Sequence, residues 1–515
     1  MRPFGTLLFI ILSVLCLHIQ CDDNNNRKRA AVSIGYFDSV RIKSLVVQNR
    51  TIRRTIDQLR LRTRDTTFID LCVNRYYAEK RPYLWITRNG IDHRADTLLR
   101  RIEKIPETGI DAEILFIPLL QKELHRLRTL DFTDQNRINQ TLARLEYYLT
   151  KAFLRYASGQ RFGFINPRIL FNRIELEDTL KNQFKVLFDI PVSSAGQAFV
   201  DTALTALCQD RLPSFLNDIQ PDDTLYARYM EAYAASGTNK QQRKSLIAAM
   251  ERCRWRTIPR QEGKRIIVNL PAWNLEASDY HTGARIEMRI CAGSSKNKTP
   301  LLTSRIKRME LNPYWIVPQS IVRKEIATQH AQDADYFTRN YMEIIDKESK
   351  EVLEPEKVTA EMLLSGDYTV RQEKGENNSL GRIIFRFPNN FAIYLHDTPN
   401  RSAFNQTWRG VSHGCIRLEQ PLLLADFLYE EEDSERFMER VRLSIEQPPQ
   451  TDYGKKLQDN PKFQPLTSHT FQSETPVYID YRTVWPDHTG KLCYYPDTYR
   501  YDELIIKQLT TYKLR

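Results

Sequence analysis

Arg382-Ile383-Ile384-Phe385-Arg386-Phe387, then Pro388-Asn389-Asn390, then Phe391-Ala392-Ile393-Tyr394-Leu395-His396 is the stretch on which the fold turns. Two apolar, β-rich runs flank a three-residue turn signal, which predicts a hairpin whose second strand carries His396 at its end. Nineteen positions after His396 comes Cys415, inside Ser412-His413-Gly414-Cys415-Ile416-Arg417. A thiol, two imidazoles and a guanidinium are thus expected to meet within one loop and strand end. A thiolate gains from a nearby imidazolium and a fixed positive charge, so Cys415 is expected to ionise near neutral pH.

Working outward, the regime around the hairpin is β-rich. Residues 265–270 and 284–291 are further apolar runs bounded by turn residues. Between 318 and 368 lies a polar, helix-leaning insertion, long enough to serve as a lid beside the site. Pro421 suits the first turn of a helix reaching about Tyr429. Upstream, from 46 to 257, the pattern is helical. Ile138, Leu142, Leu145, Leu149 and Phe153 form one apolar face, with Thr133 or Asp134 as the expected cap and Gly159 as the expected end. Residues 111–130 read as a helix capped by Asp111, and 239–254 as the last helix before the strands. Residues 447–515 read as a C-terminal extension with a strand pair at about 477–484 and 492–494. The expectation is an α+β chain: a mostly helical N-terminal domain (46–257), then a β-rich catalytic domain (264–446) with a helical lid insertion (318–368).

Length and charge fit that plan. A chain of 515 residues is too long for one compact core, and 41% hydrophobic with 27% charged residues is ordinary for a folded protein. The net charge of +11 is spread along the chain, and neither a zinc-finger spacing nor a concentrated basic arm supports nucleic-acid binding. Met1-Arg2 and the apolar run from about Leu7 to Leu17 read as a signal peptide (1–21), followed by a polar tether (22–45). Cys21 stands where a lipidated cysteine would stand, although His18 and Gln20 are poor matches to the residues expected upstream of it, so a lipid anchor and a plain signal both stay open. Either way the rest of the chain is expected to be exported to the periplasm or cell envelope, touching membrane only at its N-terminus. Cys72, Cys208, Cys253, Cys291, Cys415 and Cys493 show no paired CxxC spacing.

Three readings compete for His396, His413 and Cys415. They are a cysteine nucleophile with a histidine base, a metal site, or a structural cluster. The metal reading lacks a fourth ligand: Asp397 adjoins His396, but neighbouring strand residues point to opposite faces. No metal or cofactor is therefore expected. Gly414 lets the backbone approach a substrate closely, and N–H groups around it suit a developing oxyanion.

These residues resemble the L,D-transpeptidases with a YkuD-type catalytic domain. The likeness extends to Met250-Glu251-Arg252 with Arg254-Trp255, Asn312-Pro313-Tyr314-Trp315, Val317-Pro318-Gln319-Ser320-Ile321 and Tyr394-Leu395-His396-Asp397-Thr398-Pro399. The resemblance implies attack by Cys415 on the third residue, a diaminopimelate, of a peptidoglycan stem tetrapeptide, with loss of D-alanine and formation of a thioester. His396 would be general base and acid. A second stem's amine would then take the acyl group. Ser412, His413, Gly414 and Tyr394 would orient or stabilise the intermediate, and Arg417 would shape the loop or meet a carboxylate. A carboxypeptidase, or an enzyme attaching or releasing a wall protein, would use the same thioester, while a non-catalytic wall-binding scaffold would not need it. Two departures stand out: no room is left before 239 for a peptidoglycan-binding module, and Lys374 replaces an expected proline before Gly375.

Overall fold

The computed structural model describes residues 46–512 except 63–66, 88–89, 134–136, 177–181, 258–262 and 334. The expected signal peptide, the tether and Cys21 lie outside the described residues, as does Asp134. The described chain forms two compact units. One gathers the residues up to Leu170, Pro191–Thr257 and Thr483 onward, and the other comprises Phe171–Ile190 and Ile258–Arg482.

The first unit is helical, as its apolar periodicity requires. Its longest element, α1 (Ile138–Phe162), buries Ile138, Leu142, Leu145, Leu149 and Phe153 on one face. Its ends differ from the expected ones. Arg137 precedes the first turn, and the Gln140 side chain reaches back to accept the Arg137 N–H at 3.1 Å, so Thr133 has no capping role. The helix runs past Gly159, against which the ring of Phe164 packs. The expected helix at 111–130 is divided. Asp111 caps only the 3-10 turn Ala112–Leu115, the chain breaks at Phe116, and an α-helix follows over Ile117–Thr129. Pro118 is the reason: it lacks an N–H and clashes with a preceding turn, so it fits only at a helix start. Asn239 caps α2 (Lys240–Trp255) through its side chain, as the last expected helix requires.

Within α1, Glu146 is fully buried and accepts the backbone N–H groups of Leu84 (2.6 Å), Trp85 and Ile86 (both 3.0 Å) and the Tyr77 hydroxyl (2.8 Å). Burial raises its pKa while those donors oppose the rise. The carboxylate thus pins the Tyr83-Leu84-Trp85 segment to the helix. Sequence periodicity marks position 146 only as an inward-facing exception.

The second unit is built on a ten-stranded sheet. Its strands are β1 (Phe188–Asp189), β2 (Lys264–Asn269), β3 (Asn274–Asp279), β4 (Arg285–Gly293), β5 (Leu301–Leu311), β6 (Ile383–Arg386), β7 (Leu395–His396), β8 (Gly410–Ser412), β9 (Ile416–Leu418) and β10 (Ser468–Asp480). They follow the order β6-β7-β9-β4-β3-β2-β10-β5-β1, and β6 also pairs with β5, so eight of them form a closed ring. β8 pairs with β4 off this path. The anticipated hairpin is β6–β7, with Ile384 opposite His396 and Phe385 opposite Leu395. Its second strand is shorter than the apolar run because Asn389 plugs the connection. The Asn389 amide donates to the carbonyls of Phe387 (3.0 Å) and Ile393 (2.7 Å), and its oxygen accepts N–H bonds from Phe391 and Ile393 (both 3.0 Å).

Two further expectations are revised. The insertion holds the anticipated helices but also two strands, Met342–Asp346 and Val352–Leu353, which join the flanking Trp315–Ile316 and Tyr368–Gln372 in a four-stranded sheet ordered Trp315–Ile316, Tyr368–Gln372, Met342–Asp346, Val352–Leu353. Val322, Ile326, Phe337, Ile344, Leu363 and Val370 give it a core of its own. Nor does 447–515 stay together as an extension. β10 lies inside the main sheet, parallel to β2 and antiparallel to β5. From Thr483 onward the chain belongs to the helical unit, where Val484–Pro486 pairs with Leu492–Tyr494 and Tyr229 donates its hydroxyl to the Val484 carbonyl at 2.8 Å.

Candidate active site

β7 and β9 run parallel, with Leu395 opposite Ile416 and His396 opposite Arg417. The Ile416 N–H donates to the Tyr394 carbonyl at 3.2 Å, which extends the pairing toward Cys415. Alternation along both strands separates two faces. Leu395 and Ile416 are fully buried in the core. Tyr394, His396, Cys415 and Arg417 therefore share the opposite face. Tyr394 and His396 meet edge to face, with ring centroids 5.7 Å apart.

Each member has a defined local restraint. The His396 ring is buried and places Nδ1 3.3 Å from the Leu380 carbonyl oxygen. With the proton on Nδ1, Nε2 is left as an acceptor. That carbonyl belongs to the loop 373–381, and Asn378 shapes the loop. Its amide donates to the carbonyls of Glu373 (2.6 Å) and Pro313 (3.1 Å), and its oxygen accepts the Leu380 N–H (2.8 Å). Lys374, the departure from the expected proline, reaches over the Tyr314 ring at 4.9 Å from its centre and makes no bond to this restraint.

The Cys415 loop is pinned at three points. Ser412 Oγ donates to the Cys415 carbonyl at 2.6 Å and accepts the Gly414 N–H at 3.0 Å. Thr299 Oγ1 donates to the Gly414 carbonyl at 2.7 Å and accepts the Gly293 N–H at 2.9 Å. Gly414 has φ 128°, which strongly favours glycine, and a Cβ there would press to 3.2 Å from Ile393 Cδ1. The Cys415 sulfur lies 3.7 Å from the Ala392 carbonyl oxygen.

The electrostatics overturn one expectation. Burial, followed by the Arg417 charge, lowers the His396 pKa to about 4, so the ring is neutral at physiological pH. With no imidazolium beside it, the thiol is not held as thiolate. Burial raises the Cys415 pKa, against opposing pulls from the Tyr394 backbone N–H and hydroxyl and from Arg386 and Arg417. The resting pair is a neutral thiol and a neutral imidazole. Burial likewise raises the Tyr394 phenol, which stays protonated as a donor.

Arg417 lies opposite Cys291 on β4, and its buried Nε has no hydrogen-bond partner among the described residues. A second cation was missed by the sequence reading. The Arg386 guanidinium sits 4.6 Å from the centre of the Tyr394 ring and is held by Glu310 through bonds of 3.1 and 2.9 Å. The hairpin register could have revealed it, since Ile384–His396 and Phe385–Leu395 pairing brings Arg386 next to Tyr394. His413 stands apart from the other members: its ring turns outward and its Nε2 bonds to Glu325 of the insertion. The two histidines thus turn to different partners. Asp397 faces away, accepting the Arg382 N–H at 2.9 Å and an Arg401 N–H at 2.5 Å. Thr299, Leu380, Asn378 and Glu325 were also missed. They are distant in sequence, and none carries a local signal.

Comparison with known proteins finds matches for both regions of the chain. Residues 263–479 match the model of the L,D-transpeptidase catalytic domain, and residues 72–233 match that of a Scaffold domain. A Haemophilus influenzae protein named "Putative L,D-transpeptidase" is 29% identical over 305 residues, covering 59% of this chain. The chain spans 58% of that relative's length. The chain thus carries an L,D-transpeptidase catalytic domain over residues 263–479, which follows a Scaffold domain over residues 72–233.

Proposed function

We propose that this protein is an exported peptidoglycan L,D-transpeptidase that joins the third, diaminopimelate, residues of two stem peptides through a thioester on Cys415. The observation that carries the reading is the single face bearing Tyr394, His396, Cys415 and Arg417 on paired parallel strands. As the thiol attacks the stem carbonyl, His396 Nε2 takes its proton, so charge develops only as the bond forms. The Leu380 carbonyl holds the ring in the tautomer this needs. Arg386 and Arg417 favour the developing thiolate and oxyanion and suit the stem's carboxylates. Protonated His396 then returns its proton to the departing D-alanine amine, which leaves the acyl group on sulfur. The N-terminal apolar run supports export, and with it a site of action in the periplasm or cell envelope.

Purified enzyme incubated with stem tetrapeptides is expected to release D-alanine and to give dimers linked through third residues, both read by mass spectrometry. Shortened stems without dimers would contradict the transpeptidase assignment and point to water as the acceptor.

A further inference from the structure

The thioester must finally be taken by an amine, and an amine arrives at neutral pH as a cation. The cationic groups on the catalytic face, Arg386 and Arg417, repel it. His396 is neutral, buried and committed to the sulfur. Glu310 is occupied by Arg386, and Asp397 faces Arg382 and Arg401. One carboxylate differs. Glu325 bonds His413, two residues before the nucleophile, and both side chains remain open to solvent, 47% and 42% exposed. Glu325 lies in a one-turn π-helical segment, Val322–Ile326, a distortion that often marks functional positions. The bond to Glu325 puts the His413 proton on Nε2, which leaves Nδ1 free to accept one, an arrangement in which a carboxylate orients a histidine base.

We infer that Glu325 and His413 form the subsite for the acceptor, a cationic primary amine on a second stem. The inference rests on the functional reading above. The ammonium pairs with Glu325 and passes one proton to His413. The free amine attacks the thioester carbonyl, a C–N bond forms and the C–S bond breaks. A second amine proton passes through His396 to the Cys415 sulfur, and the third stays on the new amide. His413 then releases its proton to solvent. Two histidines so divide the work, with His396 serving the sulfur and His413 the incoming nitrogen.

The test compares wild type, Glu325→Gln and Glu325→Asp, the competent thiol being counted by carbapenem titration in a separate aliquot of each. Acyl-enzyme formed from a stem tetrapeptide is partitioned between water, a cationic stem amine and hydroxylamine, which is uncharged at neutral pH. For Glu325→Gln, KM for the cationic acceptor is expected to rise at least tenfold, with acylation and hydroxylamine capture falling less than threefold. Glu325→Asp is expected to restore part of the acceptor affinity. An unchanged KM for the cationic amine would overturn the inference, as would an equal loss with hydroxylamine, which would mark a structural role. Failure of wild type to form an acyl-enzyme would instead overturn the functional reading, and this inference with it.

Discussion

Replacement of His396 by glutamine is expected to slow acylation of Cys415 by about 10²–10⁴-fold, the usual contribution of a positioned general base. Its pH dependence separates this role from a structural one. With the His396 pKa near 4, the base form dominates throughout the neutral and mildly acidic range. Wild-type kcat/KM should therefore hold level from pH 7 to pH 5 and fall only toward pH 4, and that limb should vanish in the variant. Stability carries the same sign. The folded state holds fewer protons on this ring than the unfolded chain between about pH 6.5 and 4, so stability falls as pH drops through that window, by about 3 kcal/mol in total. The variant should lose less stability over that range. An activity limb near pH 6.5 would contradict the buried, neutral placement of the ring.

Gly381→Ala is expected to be among the most damaging single methyl additions in the catalytic unit. Gly381 has φ 62°, and a Cβ would lie 2.5 Å from Asp397 Cβ and Cγ and 2.6 Å from its backbone carbonyl carbon. Neither the backbone nor the paired carboxylate can withdraw. Left-handed strain of roughly 1–2 kcal/mol adds to overpacking of roughly 1–3 kcal/mol. The sum, about 3 kcal/mol, corresponds to a fall of about 6–12 °C in the melting temperature of a unit this size. Because Leu380 is the next residue upstream, the His396 tautomer should be disturbed as well, so carbapenem acylation should slow even below the transition. A melting temperature within about 2 °C of wild type would show that the two backbones are not in contact.

What the sequence made legible was mostly contiguous. Ser412 to Arg417 stand together in the chain, and His396 ends a run whose partner strand lies a short turn away. The motif and the hairpin could therefore be read without long-range knowledge. The groups that restrain the site could not. Thr299 reaches Gly414, and Glu325 reaches His413, across large sequence separations. Leu380 contributes a carbonyl, which every residue possesses.

The placement of β10 failed for a related reason. Its parallel pairing with β2, Val477 opposite Ile266, joins distant parts of the chain, and local pattern carries no trace of it. The insertion's sheet escaped because its strands are short and half-exposed, so their apolar positions resemble helical ones. The ionised cysteine was a different error. Its neighbours were identified correctly, but a neighbouring histidine is an imidazolium only where water or an acid lets it be, and burial among cations forbids that here.

The most direct measurement of the central claim is the intact mass of the purified protein after incubation with a carbapenem. One covalent adduct per chain is expected, located by peptide mapping to Cys415 and absent from a folded Cys415→Ala variant. A folded wild-type protein that gains no adduct, or an adduct that persists in Cys415→Ala, would contradict the assignment of Cys415 as the acyl carrier.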